Sequence, residues 1–425
     1  MLDPRSLAAN RDQIAESCRR RGVAPDLDAA IAAQERVTAV QTELNESNRR
    51  RNEHQTGGKR KLSGEEREAH VAEGRRLKDE AGGLERNLAE AQQRLHEAML
   101  PIPNLVHPET PAGGEEAFRE LHRVGAPPSF AFEPADHLAL NERLDLFDFE
   151  SAARTTGQKF YFLKNEAVLL ELALQRYALD IALDAGFTLF STPDLARREI
   201  VDALAFSPRG PETQIYSVTD TNLDLIGTAE ITLGGLHFGE VLDDEVLPLR
   251  VAGVSHCYRT EAGSAGRESR GLYRVHQFTK VEMFVFARPE ESDALHEELL
   301  AIEERIFQGL EIPYRVIEVA AGDLGGPAYR KFDIEGWMPS RGDGGLYGEL
   351  TSTSNCTDYQ ARRLRTRFKR AGAKRPELVH TLNGTAVAVP RTIIALLENH
   401  QRADGSVAVP KALQPYLGID RIGPR

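Results

Sequence analysis

The sequence predicts an α+β protein: a mostly antiparallel sheet flanked by helices, preceded by a long antiparallel α-helical coiled-coil arm. Three observations carry this. Residues 1–110 are rich in Ala, Arg, Glu, Gln and Asn, hold hardly an aromatic residue, and space their apolar positions in heptads. Beyond about residue 140, strand-length apolar runs follow one another with few of the strand–helix–strand units that build a parallel sheet. Val254–Ala287 reads as two apolar-aromatic runs around a loop with Gly263, Gly266 and Gly271, the pattern of an antiparallel hairpin.

The arm spans about residues 27–98. Ala30, Ala33, Val37, Val40 and Leu44 form one seam, and Leu77, Ala81, Leu84, Leu88, Ala91 and Leu95 the other. Gly57-Gly58 supply the turn, Ser63-Gly64-Glu65-Glu66 a capping box, and Pro101 and Pro103 the stop. Each helix would be roughly 45–55 Å long at 1.5 Å per residue. Seams this rich in Ala pack thinly, so the arm is expected to protrude. Its distal end is basic, with Arg49, Arg50, Arg51, Lys59, Arg60 and Lys61. A solvated tip and a contact with phosphates both fit this cluster.

Residues 111–134, rich in Pro, Gly and Glu, read as a linker into a globular part over 135–425. Helices are expected at Val168–Ala185, Pro193–Ala203, Ser292–Leu310, Asn355–Ala371 and Thr392–His400. Strands are expected at Gly186–Pro193 and around 246–260, 272–287, 312–320, 331–337, 346–352 and 378–388. On a strand over 272–287, alternation puts Arg274, His276, Phe278, Lys280 and Glu282 on one face. A solvated face explains charges in a row, but the apolar runs on either side place this strand centrally.

Composition narrows the class. The chain has 425 residues, 41% hydrophobic and 28% charged, as a soluble protein of two or three domains does. Its start is polar, without a signal peptide, and no apolar run reaches the ~20 residues that span a bilayer. Cys18, Cys257 and Cys356 lie far apart, giving neither a zinc site nor a disulfide framework, which fits a reducing cytoplasm. The net charge of −12 leaves nucleic-acid binding to local basic patches.

No P-loop, GxGxxG before a helix, GxSxG or HExxH is present. A nucleotide would have to be held by arginines and a metal. Arg259 and Glu261 open the glycine loop. Glu349 and Ser352, three apart at a strand end, suit Mg²⁺, which takes hard oxygen ligands. Arg391 falls in the first turn of a helix, where a cation opposes the helix dipole and an anionic ligand would explain it.

Taken together, the MLD start, the arm, Thr228-Ala229-Glu230, the TEAGSAGRESRGLYRVHQFTKVE block, GELTSTSNCTDYQARR from Gly348 and LNGTAVAVPRT from Leu382 closely resemble the bacterial-type seryl-tRNA synthetases, class II aminoacyl-tRNA synthetases. The resemblance covers essentially the whole chain. It implies the class II catalytic fold, a cytoplasmic homodimer with Gly186–Pro193 at the interface, and a serine–tRNA ligase acting through seryl-adenylate. Thr228, Ala229, Glu230, Glu282 and Thr385 would bind L-serine. Arg259, Thr260, Glu261, Arg274, Val275, Phe278, Glu349, Leu350, Thr351, Ser352 and Arg391 would bind ATP, with Arg259, Glu261 and Arg391 catalytic. Glu349 and Ser352 would hold Mg²⁺. The partners implied are tRNA(Ser) and also tRNA(Sec), with the arm lying across the RNA; no membrane is implied.

The chain has Gly-Thr-Ala at 384–386 and Pro-Arg-Thr at 390–392 where many bacterial relatives carry a Gly-Ser-Gly-rich segment ending Gly-Arg-Thr, so Thr385 stands in for a serine. A non-catalytic paralogue would have lost Arg259, Glu261, Glu349 or Arg391, and all four are present. An amino acid:carrier-protein ligase would lack the arm.

Overall fold

The computed structural model describes residues 1–58, 63–205, 214–261 and 271–425. The chain divides into two compact units, Met1–Leu105 and Val106–Arg425.

In the first unit, α1 (Arg11–Arg20) precedes the long helices α2 (Leu27–Gly57) and α3 (Gly64–Met99). Asp26 caps α2 by accepting from the Ala29 N–H. Ser63 and Glu66 close the expected capping box on α3: the Ser63 N–H donates to Glu66 Oε2 at 2.8 Å and the Glu66 N–H to Ser63 Oγ at 3.4 Å. The helices run antiparallel, since Arg50 pairs with Glu80 while His54, further along, stacks on His70. Ala30, Val40 and Leu44 bury against a seam that includes Leu77, Ala81 and Ala91. At 1.5 Å per residue the helices are about 46 and about 54 Å long. The basic end is partly neutralised within the arm: Arg50 meets Glu80, and Arg49 lies 3.8 Å from Glu53. Lys59, Arg60 and Lys61 lie outside the described residues.

The second unit is built on eight strands: β1 (Arg119–Val124), β2 (Thr188–Ser191), β3 (Leu249–Tyr258), β4 (Gln277–Ala287), β5 (Tyr314–Glu318), β6 (Arg330–Met338), β7 (Leu346–Asn355) and β8 (His380–Ala388). Their order is β1-β5-β6-β7-β8-β4-β3-β2, antiparallel throughout except for β2 against β3. Helices α4 (Glu166–Asp184), α7 (Ser292–Gly309) and α9 (Val389–Asn399) pack their apolar faces on the sheet in one large core. The short helices α5 (Arg198–Ala203), α6 (Ala229–Gly234) and α8 (Tyr359–Leu364) complete the set used below. β4 is central and is buried from Thr279 to Ala287.

The structure departs from expectation in four places. Residues 111–134 are more than a linker, because β1 lies within them and pairs with β5 as the sheet edge. Arg-Glu-Leu-His-Arg-Val is exposed along almost its whole length, so it carries no apolar alternation to announce a strand. The helix expected at Pro193–Ala203 is a short strand, Leu195–Arg197, followed by α5. The one expected at Asn355–Ala371 is only α8, ended by Arg365 in the left-handed region at φ 58°; Arg367–Lys369 then pairs with Val241–Asp243. Finally, β4 begins at Gln277, so Arg274, Val275 and His276 precede the strand. The His276 ring hydrogen-bonds the Arg259 carbonyl at 2.9 Å.

Candidate active site

β4 carries the centre of the site. In register, β3 places Cys257, Ser255 and Gly253 opposite Phe278, Lys280 and Glu282. On the other side, β8 sets Thr385 opposite Glu282, and a bulge between Thr385 and Val387 shifts the pairing there. β7 contributes Glu349, Leu350, Thr351 and Ser352. Residues at the N-termini of α6 and α9 close the ends, with Thr228, Glu230 and Arg391. The result is a cavity of about 410 Å³, the size class of small-ligand sites.

Nearly every residue named from sequence lines it: Thr228, Glu230, Arg259, Glu261, Arg274, Val275, Phe278, Glu282, Glu349, Leu350, Thr351, Ser352, Thr385 and Arg391. Ala229 and Thr260 are not in the wall. Ala229 is fully buried in the first turn of α6, and the Thr260 N–H donates to the Gln214 carbonyl at 3.2 Å. The glycine loop over residues 262–270 lies outside the described residues.

Two electrostatic zones can be told apart. One is rich in arginine. Arg259 lies over the Phe278 ring with its guanidinium carbon 5.3 Å from the centroid, and Arg274 pairs with Glu261 at 3.4 Å. Arg391 Nη1 lies 3.3 Å from Glu349 Oε2 and donates to the Glu349 carbonyl at 3.1 Å; its guanidinium also lies over the Tyr273 ring at 4.7 Å. So the cation at the α9 N-terminus has a protein partner as well as a place facing the cavity. Burial raises the Glu349 carboxyl, but Arg391, Lys331 and Arg259 outweigh it and take it down to about 2. Glu349 is therefore ionised, as a hard-metal ligand must be. Among the described residues no cluster of three or more His, Cys, Asp or Glu is placed to hold a metal by itself.

The second zone is acidic and buried. Glu282 is 1% exposed and pairs with Lys280 from the same strand face; Thr385 Oγ1 donates to Glu282 Oε2 at 3.1 Å. Thr228 caps α6, its Oγ1 accepting from the Glu230 N–H at 3.2 Å. The Glu230 carboxyl accepts from Gln360 Nε2 at 2.7 Å. Burial, and then the charge of Glu282, push Glu230 up to about 7. Behind β8, Glu303 is buried and, by burial and the same Glu282 charge, held well above the usual carboxylate range. A Cβ on Gly384 would stand 2.8 Å from Glu303 Oε1, so a side chain before Thr385 would force the buried Glu303 carboxyl to shift.

Sequence reasoning left Lys280 without a role, although the alternation that singled it out was correct from Phe278 to Glu282. It missed Tyr273 beside Arg274, Gln360 inside an already conspicuous motif, and Lys331. Lys331 lines the cavity and pairs with Asp333 at 3.0 Å; its spacing on a strand carries no signal of that.

The chain is similar to known proteins along its whole length. Residues 1–106 match the seryl-tRNA synthetase N-terminal domain, and residues 216–400 the tRNA synthetase class II core domain (G, H, P, S and T). The serine–tRNA ligase of Rubrobacter xylanophilus is 54% identical over 425 residues, covering 100% of this chain and 99% of the relative. The seryl-tRNA synthetase of Pyrococcus horikoshii complexed with ATP superposes with a TM-score of 0.88 at 37% identity, covering 100% of both chains. The cytoplasmic serine–tRNA ligase of Naegleria fowleri in complex with AMP gives 0.84 at 30% identity, over 98% of this chain and 96% of that one. With its arm, its antiparallel sheet and its arginine-lined cavity, the chain belongs to the seryl-tRNA synthetases, class II ligases that form aminoacyl-tRNA.

Proposed function

We propose that the cavity activates L-serine with ATP and transfers it to the 3′ end of tRNA(Ser), and also of tRNA(Sec), with the two electrostatic zones dividing the substrates. The observation that carries this reading is the convergence of Arg259, Arg274, Arg391, Phe278 and ionised Glu349 in one cavity whose other end is Thr228, Glu230, Glu282 and Thr385. The arginine zone suits a triphosphate and an adenine ring. The acidic zone suits an ammonium and a hydroxyl.

A serine carboxylate is already a nucleophile at neutral pH. Its oxygen attacks the α-phosphorus of ATP, forming the acyl–phosphate bond of seryl-adenylate as pyrophosphate leaves. The protein's task is to position the two and offset charge. Arg259 would contact the α-phosphate, Glu261 would orient it and the ribose end, and Arg391 would hold the far phosphate. The Phe278 ring would stack on adenine, with Val275 at its edge. Mg²⁺ arriving with ATP would neutralise phosphate charge, and Glu349 and Ser352 are the residues fitted to hold it. In the second step a ribose hydroxyl of the tRNA attacks the seryl carbonyl carbon and AMP leaves. The arm would bind the RNA by shape and phosphate contacts; its described basic candidates are Arg51, Arg49 beside Glu53 and Arg50 paired with Glu80. A cytoplasmic setting is part of this reading. Among the described residues no helix is long and apolar enough to cross a membrane.

Dimer formation is supported by the outer face of α4. Val168, Leu169, Leu172 and Leu183 are exposed there, as is Leu189 on the edge strand β2, a patch that monomers rarely leave uncovered.

Serine-dependent exchange of pyrophosphate into ATP is expected. Arg259→Ala should abolish it, a loss of at least ~10²-fold, with the melting temperature little changed; retained exchange removes Arg259 from the α-phosphate. Deleting residues 30–98 should leave exchange intact and cripple tRNA charging, and equal charging by the deletion variant refutes the arm's role. Sedimentation of Leu169→Glu/Leu172→Glu should show monomers where the parent sediments as a dimer; an unchanged dimer places the interface elsewhere. The pH dependence has a definite sign. Glu230 gains its charge as pH rises through about 7, so KM for serine should fall between pH 6 and 8. Glu230→Gln should flatten that profile at a higher KM, and a flat profile in the parent excludes Glu230 from ammonium recognition.

A further inference from the structure

Lys280 belongs to the acidic zone yet has no part in the reaction as divided above. It sits on β4 between Phe278 and Glu282, and it is 6% exposed. Its ammonium pairs with Glu282 and donates to Thr385 Oγ1 at 3.3 Å, while that hydroxyl donates to Glu282 Oε2 at 3.1 Å. The polarity of this triangle has one solution. An ammonium can only donate, an ionised carboxylate can only accept, and a hydroxyl has one proton and two lone pairs. The Thr385 proton is therefore committed to Glu282, and one Thr385 lone pair is committed to Lys280. What remains for a ligand on Thr385 is a lone pair, and on Glu282 an acceptor oxygen.

We propose that Lys280 is a positioning residue for amino-acid selection: by pairing with Glu282 and turning the Thr385 hydroxyl toward it, Lys280 leaves Thr385 and Glu282 with only acceptor capacity toward a ligand, which selects an amino acid bearing a side-chain O–H donor. The inference rests on the assignment of Glu282 and Thr385 to serine made above. The ammonium also cancels the Glu282 charge, so the wall suits a zwitterion rather than a bare cation. Around the triangle stand the half-buried Glu230, bonded to Gln360, the buried Glu303 and Arg259 over Phe278. Without the Lys280 ammonium, the buried Glu282 carboxyl loses its cationic partner and Thr385 Oγ1 loses the donor that fixes its orientation. The Thr385 hydroxyl is then free to turn either way, and a ligand lacking the O–H no longer leaves an acceptor unpaired.

The test measures pyrophosphate exchange by the full-length protein with serine, alanine and cysteine, for Lys280→Gln, Lys280→Arg and Glu282→Gln. Lys280→Gln should raise KM for serine and narrow the serine-over-alanine ratio of kcat/KM, each by about tenfold or more, with KM for ATP within about twofold. Lys280→Arg, which keeps charge and donors, should recover most of both effects. A Lys280→Gln variant that lowers kcat alone, with selectivity as in the parent, overturns the proposal. So does a Lys280→Arg variant that loses the preference for serine while keeping its ATP KM, a result readable even where the Gln variant fails to fold. If Glu282→Gln leaves KM for serine unchanged, the assignment of Glu282 to serine fails. If Glu282→Gln raises it and Lys280→Gln does not, only the role of Lys280 fails.

Discussion

A strand buried on both faces cannot carry a charge unless that charge has a partner, and β4 carries two. Lys280 and Glu282 satisfy one another on its cavity side, with Thr385 from β8 as the third member. Between them and beyond them, Val281, Met283, Phe284, Val285 and Phe286 are buried. Alternation thus lets one central strand seal the core and line a polar cavity at once. Removing one partner of such a pair leaves the other charge buried and unpaired, which is why these positions constrain one another more tightly than their separate contacts suggest.

The cavity's division into an arginine zone and an acidic zone follows from which elements end there. The α6 N-terminus brings Thr228 and Glu230, and β8 brings Thr385, to one end. The end of β3, the start of β7 and the first turn of α9 bring Arg259, Glu349 and Arg391 to the other. Burial first, and then the charge of Glu282, which pairs with Lys280, raise its neighbours Glu230 and Glu303. At the other end several cations act on Glu349 and keep it ionised. Two carboxyl groups in one cavity are therefore driven in opposite directions: burial with little offsetting positive charge raises Glu230, and three cations overcome burial at Glu349.

Much of the arm was legible because a coiled coil is periodic and local. The seams, the capping box and the proline stop are all short-range signals, and the helices run where these place them. β1 was illegible for the opposite reason: an exposed edge strand has no buried face to leave its mark on the pattern. The helix expected over Asn355–Ala371 was overextended because nothing local revealed that Arg365 would turn left-handed and the chain would then pair with Val241–Asp243. In the cavity, motif residues were legible as a set, but the start of β4 at Gln277 took Arg274 off the strand alternation while leaving it in the wall.

By itself, the sequence determined the class of chain, the two helices of the arm, the strands nearest the site and most of the residues that line it, since each is written in spacing or in a contiguous motif. Only the tertiary structure decided what those residues do to one another. Lys280 was a charge on a strand face until β8 brought Thr385 to it from 105 positions away. Arg391 was a cation at an unfavourable helix end until β7 brought Glu349 against it. Charge pairing and pKa depend on distances of a few ångströms, and those distances are set by strand register between segments far apart in the chain, which local pattern does not encode.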